Sequence, residues 1–243
     1  MVFADRKYVI FDMDGTLIDS VGIWNLIDEE LIKSYGAVPP STDKIQQGRD
    51  DALERNRSAE DPYREYCIYL NERYAFGEKD PEDIKKKRYE IAQMYLEKNV
   101  DYRPGADIFI RALKKSGKRL IIASTTKKTN MDVYRRLNNN IRSKADIDEF
   151  FDMVYTREDV DVIKPDPEVY EKVIAETGAN PSECVVIEDS LVGVEAAKAA
   201  GLFTVAVYDR YSDNDGKRIK ELADRFIMDY DEALSILRNE SEQ

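Results

Sequence analysis

Apolar positions fall into two textures along the chain. Tyr8-Val9-Ile10-Phe11 is an unbroken apolar run of strand length that stops abruptly at Asp12. A strand without polar alternation suits a sheet covered on both faces. From Val21 the spacing changes. Ile23, Leu26, Ile27 and Leu31 recur at helical intervals over 21–35, with Ser20 as a candidate N-cap. The pattern stays helical, heavily charged and free of strand-like runs to about Asn99. Within it, 63–74 and 82–98 read as long amphipathic helices, each with a proline near its start.

After Arg103-Pro104-Gly105, short apolar runs alternate with helical segments. The expected strands are 120–123, 153–155, 185–187, 204–207 and 225–227. The expected helices are 105–116 (ended at Gly117), 130–137, 167–177, 192–200 and 231–237, with 239–243 as a frayed tail. Such alternation predicts a parallel sheet with helices on both faces. The expected fold is therefore α/β: a Rossmann-like doubly wound core, residues 1–19 and 100–243, with a helical subdomain, residues 20–99, inserted after the first strand.

Composition narrows the function. At 243 residues, 42% hydrophobic and 35% charged, the chain can pack a core and is not expected to be disordered. With 37 basic and 49 acidic residues it carries a net charge of −12, which lacks the basic footprint of a nucleic-acid binder. No apolar run approaches the ~20 residues of a membrane span, and no leader-like segment opens the chain, so a cytoplasmic location is expected. Cys67 and Cys184 are expected as buried thiols in a reducing compartment. There is no histidine, which removes the commonest general base and zinc ligand.

Ligands of open α/β sheets bind beyond the carboxyl ends of the strands. There, Asp12 and Asp14, with Gly15 beside them, form either a solvated turn or two carboxylates aimed at one cavity. Ser124, Thr125 and Thr126, followed by Lys127, form either a capped helix start or a cradle of hydroxyls and N–H groups for phosphate. Lys164 before a proline-bounded helix is ordinarily a surface residue. Glu188 and Asp189 form either a turn or an oxygen pair for a hard cation. Taken together, an acid pair, hydroxyls, a lysine and a second acid pair supply the parts of a phosphoryl-transfer site, which independent turns would rarely do.

The segments Asp12-Met13-Asp14-Gly15-Thr16, Ser124, Lys164 and Glu188-Asp189, with the stretch from Val186 to Leu202, closely resemble the haloacid dehalogenase superfamily. The resemblance covers the whole core. It places the helical cap, residues 20–99, as in the subgroup of β-phosphoglucomutase and phosphoglycolate phosphatase, where the cap matches in type alone. What it implies is a Mg²⁺-dependent phosphatase that hydrolyses a small phosphorylated metabolite, a sugar phosphate or similar, through an aspartyl-phosphate. By resemblance Asp12 is the nucleophile and Asp14 the general acid–base. Mg²⁺ is held by Asp12, the Asp14 backbone carbonyl and Asp189, with Glu188 as a direct or indirect ligand. Ser124 and backbone amides hold the phosphoryl oxygens, and Lys164 adds positive charge. Gly15, Thr16, Thr125, Thr126 and Lys127 join the phosphate-binding set.

A halide leaves without a proton and an alkoxide does not, so Asp14 argues for phosphate chemistry over dehalogenation. From the cap, Trp24 and Arg49 are candidate substrate contacts, against simple helix packing for the first and a surface position for the second. Trp24 stands where the related mutases place a histidine, which favours a phosphatase. A mutase and a catalytically silent binding protein are the alternatives. Two departures from the family pattern stand out: a long link over 138–147, and Ile163 before Lys164 where glycine is common. A monomer or weak homodimer is expected.

Overall fold

The computed structural model of the chain describes residues 1–56, 59–78 and 80–242. It divides into two compact units: a core of Met1–Ser20 with the chain from Val100 onward, and a helical insert, Val21–Asn99. In the core, β1 (Tyr8–Phe11) is wholly buried, as its unbroken apolar run requires.

The insert holds α1 (Val21–Ser34), α2 (Thr42–Arg55), α3 (Pro62–Tyr74) and α4 (Pro81–Lys98), and no strand among its described residues. Pro62 and Pro81 open their helices just behind the caps Asp61 and Asp80, whose carboxylates accept from first-turn N–H groups. Proline is at home there, because those N–H groups have no partner within a helix. Leu31, Ala52, Tyr66, Cys67, Leu70 and Ile84 pack the centre of this unit.

The core resumes with α5 (Ala106–Lys115), whose Ala106, Phe109, Ile110 and Leu113 are buried at helical spacing. Next come β2 (Arg119–Ala123), α6 (Lys128–Arg136), α7 (Asn139–Ala145), α8 (Ile147–Phe150) and β3 (Met153–Tyr155). They are followed by α9 (Glu168–Thr177), β4 (Cys184–Glu188), α10 (Leu191–Ala199), β5 (Phe203–Val207), α11 (Gly216–Leu222), β6 (Arg225–Ile227) and α12 (Tyr230–Ser241).

All six strands are parallel, in the order β3-β2-β1-β4-β5-β6. The chain winds outward in one direction from β1 to β3 and in the other from β4 to β6. The switch point therefore lies between β1 and β4, where ligands of such sheets bind. The 138–147 link is longer than usual because it folds into α7, capped by the Asn138 side chain, and leads into α8, capped by Asp146. The expected frayed tail is helical to Ser241, and Gln243 lies outside the described residues. Both cysteines are free and buried. Among the described residues no helix is long and apolar enough to cross a membrane.

Candidate active site

Register places the first two acids. Phe11 pairs with Ile187, and Asp12 N donates to Ile187 O at 3.0 Å, so Asp12 and Glu188 leave the sheet side by side. Lys164 reaches them from the loop before α9. Its ammonium donates to Asp12 Oδ1 (2.7 Å), Glu188 Oε1 (2.6 Å) and Ala123 O at the end of β2 (2.8 Å). An ammonium has three protons, and all three are used. Lys164 is buried, 7% exposed, so the ordinary surface reading of this residue does not hold.

Asp12, Glu188 and Asp189 are buried together, and one oxygen from each lies within 4.8 Å of the others. Burial pushes the Asp12 carboxyl up to about 7 even with Lys164 beside it. Burial, then Glu188 and Asp12, raise Asp189 well above the carboxylate range. Burial works against the Lys164 charge, but Asp12 and Glu188 outweigh it and hold the ammonium well above its ordinary value. Ionised together, three carboxylates against one ammonium would carry surplus negative charge in a buried cluster. Their hard oxygens fit a divalent cation of the Mg²⁺ type.

Neighbours fix these acids. Glu188 Oε1 also accepts from Tyr170 OH at 2.8 Å, and Oε2 accepts from Asp189 N (3.2 Å) and Ser190 Oγ (3.4 Å). Four protein donors surround it, which suits a residue that orients Lys164 rather than one free to wrap a metal. Helix α10 passes close by at Gly193, where a Cβ would lie 2.0 Å from the Glu188 carboxylate. Thr16, expected against phosphate, instead donates its hydroxyl to Asp189 Oδ1 at 2.6 Å. Gly15 adopts φ +85°, and a Cβ there would come within 2.5 Å of Asp189 Oδ2. Arg103 holds this turn by donating to Gly15 O and Tyr208 O, with Asp209 Oδ2 at 3.7 Å.

Asp14 faces hydroxyls. Ser20 Oγ donates to its Oδ1 at 2.5 Å, Tyr134 OH to the same oxygen at 3.4 Å, and Thr126 Oγ1 to Oδ2. Ser124 is buried at the end of β2, whereas Thr125 and Lys127 are exposed on the β2–α6 turn.

The two cap candidates sit in a network of the insert's own. Arg49 is buried, not at the surface, and donates to Asp28 Oδ2 (2.9 Å) and Asn25 Oδ1 (2.8 Å). Arg88 Nε donates to Asp28 Oδ1 at 2.5 Å, and its guanidinium lies 4.7 Å from the centre of the Trp24 ring. Burial pulls the Asp28 carboxyl up, but Arg88 and Arg49 outweigh it and hold it below its ordinary range.

Sequence reasoning missed Tyr170, Tyr134, Arg103 and the tie between Ser20 and Asp14. The tyrosines carry the same signal as any core aromatic on a helix face. Gly193 did carry a signal, as a glycine in the first turn of a small-residue helix behind two acids.

This geometry has relatives. Residues 6–201 match the family model for haloacid dehalogenase-like hydrolases. A phosphorylated carbohydrates phosphatase of Thermotoga maritima is 31% identical over 231 residues, 95% of this chain and 97% of its own. Hexitol phosphatase B of Escherichia coli is 25% identical and covers 85% of each chain. A crystal structure from Thermotoga maritima, provisionally named a beta-phosphoglucomutase, is 29% identical with a TM-score of 0.78, over 96% of this chain and 99% of that one. With an acid–lysine site at the switch point of the same fold, the chain is an enzyme of the haloacid dehalogenase-like hydrolase family.

Proposed function

We propose that this enzyme is a Mg²⁺-dependent phosphatase that hydrolyses the phosphate monoester of a small, sugar-like metabolite through an aspartyl-phosphate on Asp12. The observation that carries this reading is the Lys164 ammonium shared by Asp12 and Glu188 beside Asp189, with a second carboxylate, Asp14, two residues beyond the first. The names of the carbohydrate and hexitol phosphatases support the sugar-like class.

Asp12, Asp189 and the Asp14 backbone carbonyl would hold the cation, with Glu188 steadying Lys164 behind them. When bound, Mg²⁺ would offset the surplus negative charge, so that an anionic carboxylate can meet an anionic phosphate. An Asp12 oxygen attacks phosphorus as the ester P–O bond breaks, and the departing alkoxide takes a proton from Asp14. Asp14, now ionised, takes a proton from water, whose oxygen attacks the same phosphorus. The Asp12–phosphorus bond breaks and inorganic phosphate leaves. Lys164 lowers the charge on Asp12 and the transferring group, and the Ser124 hydroxyl with N–H groups of the β2–α6 turn holds the phosphoryl oxygens. Two buried free thiols fit a reducing, cytoplasmic setting.

The test is phosphate release from a panel of phosphorylated metabolites with Mg²⁺, alongside acid-quench mass spectrometry of Asp12. Expected are turnover of sugar phosphates, a phosphoryl adduct on Asp12, and loss of both in Asp12→Asn. Near-wild-type turnover by Asp12→Asn would sink the covalent mechanism.

A further inference from the structure

The β2–α6 turn carries three consecutive hydroxyls, and they are not equivalent. Thr125 is exposed, while Ser124 and Thr126 are buried. A hydroxyl has one proton to give. Thr126 Oγ1 donates its proton to Asp14 Oδ2. In the 3.1 Å contact between Ser124 Oγ and Thr126 Oγ1, Ser124 is then the donor. Thr126 N donates back to Ser124 Oγ at 3.2 Å. The result is a directed chain from Ser124 through Thr126 to Asp14. The other Asp14 oxygen accepts from Ser20 Oγ and, over a longer 3.4 Å, from Tyr134 OH. A phenol keeps its proton at neutral pH, so Tyr134 is a donor to Asp14. All three side chains bonded to Asp14 are neutral.

We propose that Thr126 is a positioning residue for Asp14 and not a phosphate ligand: its hydroxyl aims the Asp14 carboxylate and ties it to Ser124, with Tyr134 closing the other side. The inference rests on Asp14 being the acid–base group of the reaction above. When a phosphoryl oxygen takes the Ser124 proton, Thr126 loses a donor but keeps Asp14 as its acceptor. Asp14 therefore stays aimed while the phosphate site is full. Two neighbouring hydroxyls thus have separable kinetic roles. Ser124 acts on every ester alike, because every ester carries the phosphoryl group. Thr126 acts where the leaving group needs a proton.

The experiment follows kcat/KM, which covers the steps up to release of the alcohol. Glycerol phosphate must receive a proton as it leaves, whereas p-nitrophenolate departs without one. With the full chain and Mg²⁺, kcat/KM for both esters and inhibition by inorganic phosphate are measured in wild type, Thr126→Val, Thr126→Ser, Tyr134→Phe, Ser124→Ala and Asp14→Asn. Thr126→Val is expected to lower the alkyl-to-aryl ratio of kcat/KM about tenfold, a fraction of what a general acid supplies. Phosphate inhibition should hold in that variant, and Thr126→Ser should restore the ratio. Tyr134→Phe should shift the ratio in the same direction by less, and it carries the test if Thr126→Val does not fold. Ser124→Ala should weaken phosphate inhibition and lower both esters together. An equal fall on both esters in Thr126→Val, or a loss of phosphate inhibition there, overturns the proposal. Asp14→Asn separates the two levels. If it leaves the ratio unchanged, the acid–base reading itself fails and the proposal falls with it. If it lowers the ratio and neither Thr126→Val nor Tyr134→Phe does, the proposal alone fails.

Discussion

The site gathers three acids around one lysine, and its residues respond to charge in a predictable direction. In the metal-free chain the Asp12 carboxyl sits at about 7 because it is buried. A carboxyl whose folded value lies above its unfolded value of roughly 4 binds its proton more tightly when folded. That contribution is complete below about pH 4 and is lost as pH rises towards 7, by roughly 1.4 kcal/mol per pH unit for one group. A divalent cation needs the ionised form, so its stabilising effect should grow over the same window. We expect Mg²⁺ to raise the urea midpoint more at about pH 8 than at about pH 5, relative to chelator. An equal gain at both would mean that the acids do not hold the metal. Gly193→Ala tests the packing behind them. Its Cβ would enter the Glu188 carboxylate, which Lys164 and Tyr170 prevent from retreating. Misplacing Lys164 in this way should cut kcat on the order of a hundredfold, and near-wild-type turnover would show that Glu188 does not set the lysine. Asp12 and Asp189 were legible because each lies at the end of an apolar run, where a polar residue is conspicuous, whereas Lys164 reads locally as a surface residue before Pro165 and took its role from the family resemblance. Tyr170 and Thr126 were not legible in role, because whether a hydroxyl points to a carboxylate or to a ligand is decided by packing that no local pattern records.

Among the elements, the strands were readable, while α2, α7, α8 and α11 were not read as separate helices. β1, β3 and β6 occupy the residues their apolar runs predicted. The seven-residue α7 and α11 and the four-residue α8 escaped notice, because each is too short to display a helical period. The insert misled in a different way. Its helices read as amphipathic and Arg49 as a substrate contact or a surface residue, yet Asp28 of α1 is fully buried, bonded to Arg49 of α2, Tyr66 of α3 and Arg88 of α4. One carboxylate thus ties all four helices together, and sequence gives no sign of which acid turns inward. Removing it leaves two buried guanidiniums without their anion. Asp28→Ala should therefore destabilise the insert by about 3–5 kcal/mol. Trp24, the one tryptophan of the chain, lies against Arg88 and supplies the signal. The midpoint of its emission change in urea should fall sharply in the variant. A midpoint within error of wild type would make the network dispensable.

For the whole molecule, alternating strands and helices announced a doubly wound core, while the strand order that puts β1 beside β4 had to come from the structure. The same architecture serves phosphatases and mutases, so the distinction must be sought in what controls water. A mutase has to protect its aspartyl-phosphate from hydrolysis until the second hydroxyl arrives. That calls for an acid–base group kept out of action until a sugar phosphate triggers closure, and for cations that hold the distal phosphate. This chain has no histidine, and Trp24, which offers one donor and no acceptor, cannot exchange a proton near neutral pH. Asp14 is aimed by Ser20, Thr126 and Tyr134, three hydroxyls of the core itself, none of which a second phosphate must assemble. Arg49 and Arg88, the buried cations among the described residues of the insert, are already matched to Asp28. Asp14 should therefore activate water as soon as Asp12 is phosphorylated, so that hydrolysis outruns transfer. The measurement is glucose 6-phosphate formed from β-glucose 1-phosphate with a bisphosphate primer, followed by a coupled assay beside phosphate release. We expect phosphate release with negligible isomerisation. Isomerisation faster by ~100-fold, roughly 2.7 kcal/mol in barrier height, would instead make the chain a mutase and require a gate on Asp14 that the three hydroxyls do not provide.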